Sequence, residues 1–245
     1  MCGRFVVARV GSELVSRLRV DLVSDDLPAP SFNVAPTDSA AVVLDSAKTD
    51  PPTRRLEPAR WGLVPSWAKD PSIGSRAFNA RAEELEEKRM FAPALEKRRA
   101  VVPVTGYYEW QETDGGKTPL FIHPSDGEAL FLAGLYEWWR DPSKGRDDPS
   151  RWLLSFTVLT REAVGPLGAV HRRMPVFLDE DHADAWLDTD VDYPLDILDA
   201  ALDDAPRVAE RLTFRRVSPA VGNVRNDSPE LIAPVDDDLA GELRG

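Results

Sequence analysis

Cysteine occurs once in this 245-residue chain, at position 2, in the opening stretch MCGRF. An initiator methionine is usually trimmed when a small residue follows it, so Cys2 is expected to become N-terminal. Its thiol and free α-amine would then sit on neighbouring atoms. With a pKa of about 7.7–8.0, roughly one such amine in six is neutral and nucleophilic at pH 7. Facing an aldehyde, the amine forms a Schiff base and the thiol closes on the imine carbon. The product is a five-membered thiazolidine, which an internal cysteine cannot form. The competing reading is a small buried residue, common for free cysteine.

Other stretches offer partners for such chemistry. In FNARAEEL, Asn79 stands before a helix-like run and reads as an N-cap. Arg81 then falls in a first turn, where the helix dipole disfavours a cation unless an anion such as phosphate is near. The alternative is a pair with Glu84 or Glu109. In GYYEW, Glu109 lies among Tyr107, Tyr108 and Trp110, surroundings that suit a general acid/base, the alternative being a salt-bridged strand glutamate. In GAVHRRMPV, His171 and two arginines precede a strand and could face an anion. His123 and His182 lack such neighbours and read as structural or solvated. Of Trp61 and Trp67 in RWGLVPSWAKD, one is expected in the core; a tryptophan in a Pro-rich loop could stack a base.

These residues must be positioned by the remaining elements. GSELVSRLRVDL has helical spacing after a Ser12 cap, and ARAEELEEKRMFAPALEKRR reads as a helix broken near Pro93. SAAVVLD, AVVPVTGYYEW, PLFIHP, ALFLAGLYEWW, WLLSFTVLT, MPVFL and LTFRRVSPAV read as strands. DEDHADAWLD and PLDILDAAL read as short helices, and RDPSKGRDDPS as a surface loop. Strands outnumber helices without strict alternation, so the fold class is α+β with mostly antiparallel sheet, partly closed.

Composition bounds the functions. The net charge of −12 argues against broad non-specific DNA binding. The charge is uneven: residues 1–110 hold 16 Lys and Arg against 15 Asp and Glu, the remainder 14 against 27. The first half could therefore carry a basic groove. One cysteine allows no intrachain disulfide, so a reducing cytoplasm is the expected compartment. The three histidines are far apart without cysteine neighbours, so no zinc site is expected, and no glycine loop points to a nucleotide cofactor. No signal peptide or membrane span is read.

Taken in order, MCGRF, FNVAPT, RWGLVPSWAKD, FNARAEEL, GYYEW, VHRRMPV and AVGNVRND resemble the SRAP family, the SOS-response-associated or abasic-site-processing proteins. The resemblance runs from Cys2 to about Pro234. It implies one domain over residues 1–234 with a barrel-like β core flanked by helices, and an acidic tail at 235–245. It implies a monomer, cytoplasmic and nucleoid-associated on damaged DNA, that binds single-stranded DNA at an abasic site, including at junctions with duplex. It would crosslink slowly and reversibly to the lesion through Cys2, without metal or cofactor. By the same resemblance, Asn79 orients amine and sugar, Glu109 shuttles protons, and His171 assists ring opening and lyase chemistry. Arg4, Asn33, Arg81, Arg89, Thr160 and Arg173 fall where the family grips the DNA backbone; Pro36 and Trp67 fall where it props flanking bases apart.

Two features depart from the family pattern. The usual His-Asp-Arg is His171-Arg172-Arg173 here, which removes an acid beside the histidine and adds a cation. The strong acidity predicts salt-sensitive binding unless the groove is well segregated. Two other functions remain open at this stage: an N-terminal-nucleophile cysteine peptidase, including removal of its own Met1, and a single-strand-binding module in which Cys2 is merely buried.

Overall fold

The computed structural model describes residues 2–8, 11–46, 48–113, 116–191 and 194–235, with backbone only at residue 12. Its centre is a ring of five strands. β4 (Ser39–Ser46) runs antiparallel to β5 (Thr53–Trp61) on one side and to β7 (Arg99–Val104) on the other. β7 is antiparallel to β10 (Leu130–Arg140), and β10 to β11 (Trp152–Glu162). β11 then lies parallel to β5, with Ser155 opposite Arg60 and Phe156 opposite Trp61, which closes the barrel.

Alternation of side chains explains why both faces of these strands are apolar. Val42, Leu44, Trp61, Val102, Leu132, Phe156 and Val158 share one buried cluster. One residue out of step, Ala41, Val43, Val101, Phe131, Ala133 and Leu159 share a second. Helices cover that second set: α1 (Ser12–Arg17) with Leu14, α2 (Ala92–Lys97) with Leu95, α3 (Glu180–Leu187) with Trp186, and α4 (Pro194–Glu210) with Leu198 and Ala201. Short strands extend the ring: β2 (Leu22–Val23) on β5, β6 (Asn79–Arg81) and β12 (Arg173–Pro175) on β11, and β13 (Phe177–Leu178) on β10.

A separate antiparallel sheet packs against the barrel in the order β14 (Leu212–Arg216), β9 (Gly116–Pro124), β8 (Gly106–Thr113), β1 (Arg4–Val7), β3 (Ser31–Val34). Phe5 of this sheet sits 4.5 Å from Trp61 of the barrel, ring centre to ring centre. The expected α+β class, mostly antiparallel with a barrel core, is the observed one.

Several boundaries differ from the sequence reading. AVVPVTGYYEW is two strands in two sheets, β7 and β8. The chain changes sheet at Thr105, whose backbone N–H donates to Val6 O (2.8 Å) and whose Oγ1 accepts from Ala8 N (2.9 Å). MPVFL is likewise split between β12 and β13. LTFRRVSPAV stops as a strand at Arg216. PLDILDAAL continues to Glu210 as α4, because Ala205, Val208 and Ala209 carry its buried stripe onward. α1 starts at Ser12 with Gly11 in the N-cap position, so the expected Ser12 cap is corrected.

The long helix expected over residues 80–99 is not formed. Asn79–Arg81 pairs as β6 with Val158–Thr160, a 3-10 turn follows at Ala82–Glu84, and α2 begins only at Ala92 with Pro93 in its first turn. Sheet pairing and burial of Ala80, Ala82 and Leu85 override the helical propensity of this segment. Asn79 is thus a strand residue, not an N-cap, and Arg81 is not in a helix. From residue 236 on, the expected tail lies outside the described residues.

Candidate active site and nucleic-acid face

The register of β1 on β8 pairs Arg4 with Tyr108 and Phe5 with Tyr107. Cys2 precedes that ladder by two residues and lies close enough to Glu109 to feel its charge. The thiol is fully buried, with Sγ 3.9 Å from Arg4 O. Burial pushes the thiol pKa well up, and the nearby Glu109 charge pushes the same way. Asn79 arrives from β6 and donates from Nδ2 to Cys2 O at 2.7 Å. Its Oδ1 is buried with no hydrogen-bond partner among the described residues.

Glu109 is buried, 4% exposed, and sits at the wall of an open cavity of about 420 Å³ lined also by Trp110, Glu112, Lys117, His171 and Gly222. Period-2 alternation puts Tyr107, Glu109 and Gln111 on one face of β8. Tyr107 is fully enclosed; burial, then the proximity of Cys2 and Glu109, raises its phenol pKa. Gln111 Nε2 donates to Ala169 O (2.9 Å), tying β8 to the turn that carries His171. Sequence reasoning missed Tyr107 and Gln111 as site residues, although the spacing from Glu109 was a usable signal. His171 Nδ1 faces the backbone of Arg173, 2.9 Å from its N and 3.1 Å from its O, which fixes the orientation of the ring. Arg172 is exposed.

The structure therefore gathers Cys2, Asn79, Glu109 and His171 at the seam between barrel and sheet. Around them lie the residues expected to meet DNA. Arg81, Thr160 and Arg173 converge on adjacent strands: Thr160 pairs with Arg81 on one side and Pro175 on the other. Thr160 is fully buried; its carbonyl accepts from Arg173 Nη2 at 2.6 Å. Arg173 also forms a two-point pair with Glu83 (2.8 and 2.9 Å), and Arg81 pairs with Glu84 (3.0 Å).

Arg4 and Asn33 form a second group. Arg4 Nη1 donates to Asn33 Oδ1 (2.9 Å) and Val221 O (2.8 Å). Asn33 is 3% exposed, and its Nδ2 reaches the carbonyls of Val221, Asn223 and Asn226 at 2.7–3.3 Å. Asn33 thus anchors the segment AVGNVRN. The Arg4 guanidinium lies 6.0 Å over the Trp110 ring.

Pro36 is half-buried in a turn closed by Ala35 N to Asp38 Oδ2 (2.9 Å) and Thr37 N to Trp61 O (2.8 Å). Thr37 has φ +84°, a costly conformation for a β-branched residue. Trp61 is core, as one of the pair was expected to be; Trp67 is 49% exposed with Arg89 5.4 Å over its ring. Its loop is pinned where Gly62 (φ +127°) and Gly74 touch: a Cβ on Gly62 would lie 2.3 Å from Gly74 O. Trp139 Nε1 donates to Ala68 O (2.7 Å) and holds the loop tip.

Among the described residues, Asp179, His182 and Asp204 lie close enough to share a metal ion. Arg207 spans both carboxylates at 2.8 and 2.6 Å, and His182 Nδ1 lies 2.9 Å from Asp179 Oδ1. The group is held together as an ion-pair cluster. Among the described residues no helix is long and apolar enough to cross a membrane.

Fold and site together define an α+β barrel protein with a thiol, a carboxylate and an imidazole gathered beside an arginine- and tryptophan-bearing face. The chain belongs to the SRAP family, SOS response associated peptidase, whose model matches residues 1–224. The abasic site processing protein YoqW of Bacillus subtilis is 34% identical over 237 residues, covering 95% of this chain and 99% of that one. The abasic site processing protein HMCES of Gallus gallus is 34% identical over 242 residues, 88% of this chain and 69% of that one. A crystal structure of a Bacteroides thetaiotaomicron protein superposes with a TM-score of 0.78 at 20% identity, over 96% of this chain and 100% of that one, and shares the fold.

Proposed function

We propose that this chain processes abasic sites in single-stranded DNA by forming a thiazolidine with the lesion through Cys2, once Met1 is removed. One observation carries the reading: Cys2 is tethered by Asn79 within electrostatic reach of Glu109, which with His171 lines an open cavity. The names of the relatives support it.

The α-amine of Cys2 attacks the open-chain sugar aldehyde, and the carbinolamine loses water to give an iminium. Glu109 takes and returns the protons of these steps. The thiol then closes on the iminium carbon: sulfur bonds to carbon, the C=N π pair becomes the lone pair of the nitrogen, which keeps its one proton, and the thiol proton passes to Glu109. In the free protein, burial keeps the thiol protonated and unreactive. The positive iminium beside it reverses that bias by favouring the thiolate. The partnerless Oδ1 of Asn79 is an acceptor for the amine N–H or a sugar hydroxyl. His171 serves ring opening and any lyase step. Arg4, Arg81, Arg89 and Arg173 meet backbone phosphates, with Asn33 holding Arg4 and Thr160 holding Arg173. Pro36 and Trp67 separate the flanking bases.

As a peptidase nucleophile, Cys2 would need a base to take its proton against both burial and the Glu109 charge, whereas an iminium formed on its own amine supplies a positive charge beside the thiol. The test is intact mass before and after incubation with an abasic single-stranded oligonucleotide. The expected result is loss of Met1, then an adduct of protein plus oligonucleotide minus water, stable without reductant and absent in Cys2→Ala. Retention of Met1, or equal crosslinking by Cys2→Ala, overturns the proposal. Unaltered binding without any adduct would assign a non-covalent module.

A further inference from the structure

Two adjacent glutamates meet the arginines of the β6–β11–β12 cluster in different ways. Glu83 engages Arg173 with both oxygens, at 2.8 and 2.9 Å. The Arg173 side chain is only 13% exposed and is further held by Thr160 O. Glu84 makes one contact to Arg81 at 3.0 Å and one to Lys88 at 3.4 Å. Those two cations are 51% and 56% exposed.

A two-point guanidinium–carboxylate fork with a mostly buried arginine is strong and directional. Removing its acid leaves a desolvated cation without its partner. Single contacts between half-exposed side chains are weak and screened by salt. A phosphate arriving from solvent can replace Glu84 on Arg81 and Lys88, because it offers the same acceptors with more charge. On Arg173 a phosphate can only add beside Glu83: the carboxylate is 49% exposed, but the 13% exposed guanidinium is held by it at two points and by Thr160 O as well.

We infer that Glu84 is an exchangeable counter-ion on the DNA track, masking Arg81 and Lys88 in the free protein and yielding them to phosphate. Glu83 is a positioning residue that fixes Arg173. The inference rests on the single-strand reading above. Its consequence is a shallow non-covalent hold on intact strands, so that residence time is set by the covalent step at Cys2. Lys88 neighbours Arg89, which lies over Trp67, so the unmasked cations continue toward the base-separating loop.

The experiment measures anisotropy of a lesion-free single-stranded oligonucleotide across a salt series, with wild type, Glu84→Gln, Glu83→Gln and Glu87→Gln. Glu87 is an exposed acid of the same segment and reports the general effect of removing a charge. Glu84→Gln is expected to bind about two- to fivefold tighter at low salt, with the gain fading as salt rises. Glu83→Gln is expected to bind more weakly, and Glu87→Gln to change little. If Glu84→Gln is no tighter than wild type, or Glu87→Gln tightens as much, the assignment is wrong. If wild type binds no oligonucleotide at any salt, the single-strand reading falls and takes the assignment with it.

Discussion

Asn79→Ala should separate stability from chemistry. The substitution deletes the 2.7 Å bond from Nδ2 to Cys2 O, a net contribution of about 1 kcal/mol. It also deletes Oδ1, which is buried without a partner among the described residues and carries a desolvation cost of about 1–3 kcal/mol. The backbone pairing of Asn79 with Val158 is untouched. The two changes oppose each other, so the folded state should keep its stability within about 1 kcal/mol or gain slightly, moving Tm by no more than about 2–4 °C. Crosslinking should behave otherwise. Without its tether the Cys2 backbone shifts relative to the cavity, and a displacement near 1 Å costs about 100-fold in rate. A slowdown of about 10- to 100-fold is expected in a single-turnover time course on denaturing gels with abasic oligonucleotide in excess. Thermal unfolding of the same samples supplies the stability arm. A loss above about 2 kcal/mol would mean that Asn79 is a structural residue, and a rate within twofold of wild type would refute its role at the site.

Three further outcomes follow from the geometry. Gly62→Ala places a Cβ 2.3 Å from Gly74 O at φ +127°; it should lower stability by at least about 2 kcal/mol and weaken single-strand binding by displacing Trp67, and an unchanged melting curve would contradict the close contact. Asn33→Ala removes a donor from the carbonyls of Val221, Asn223 and Asn226, of which Val221 O keeps Arg4 Nη1 and Asn223 O keeps Asn226 N; a destabilisation of about 1–3 kcal/mol and new proteolytic cleavage within residues 219–227 are expected, and intact resistance would show that the segment holds itself. The native state binds the Cys2 proton more tightly than the unfolded chain does. Its contribution to stability is therefore complete below about pH 8.5 and declines as pH rises above that value. At pH 8, iodoacetamide should label the folded protein at least about tenfold more slowly than free cysteine, and Cys2→Ala should flatten part of the fall in Tm toward pH 10; labelling at the free-thiol rate would refute the burial argument.

How much of this was legible in the sequence depends on how local each signal was. β10 and β11 read directly, because their apolar runs are long and the charged loop RDPSKGRDDPS stands between them. Glu109 was legible because a lone carboxylate stood among aromatic residues. β5 was not read as a strand. Its sequence TRRLEPARW carries Arg54, Arg55, Glu57 and Arg60; Arg54 pairs with Asp45 on β4, Arg55 with Glu57 along β5 itself, and Arg60 donates to Pro71 O. Local composition cannot reveal a pair such as Arg54 with Asp45, which exists only after β4 and β5 align. ARAEELEEKRM misled for the opposite reason: Ala, Glu, Leu and Lys favour helix locally, while the first residues of the stretch are claimed by β11.

That same strand explains why the site residues are dispersed in sequence yet adjacent in space. β11 pairs with β10, β5, β6 and β12. β5 delivers Trp61 and the Trp67 loop, β6 delivers Asn79 and Arg81, and β12 delivers Arg173 with His171 just before it. β1 then brings Cys2 in from the other sheet, with Phe5 against Trp61. The chemistry proposed for Cys2 is local, but its alignment would be a property of parallel pairings between segments some 80 to 95 residues apart. Substitutions that loosen those pairings should therefore impair crosslinking before they unfold the protein. A β11 variant such as Ser155→Ala, which removes the acceptor for Val64 N at 2.9 Å, is the case to examine. If crosslinking by that variant falls only in proportion to its unfolded fraction, β11 supports the fold alone and does not set the geometry of the site.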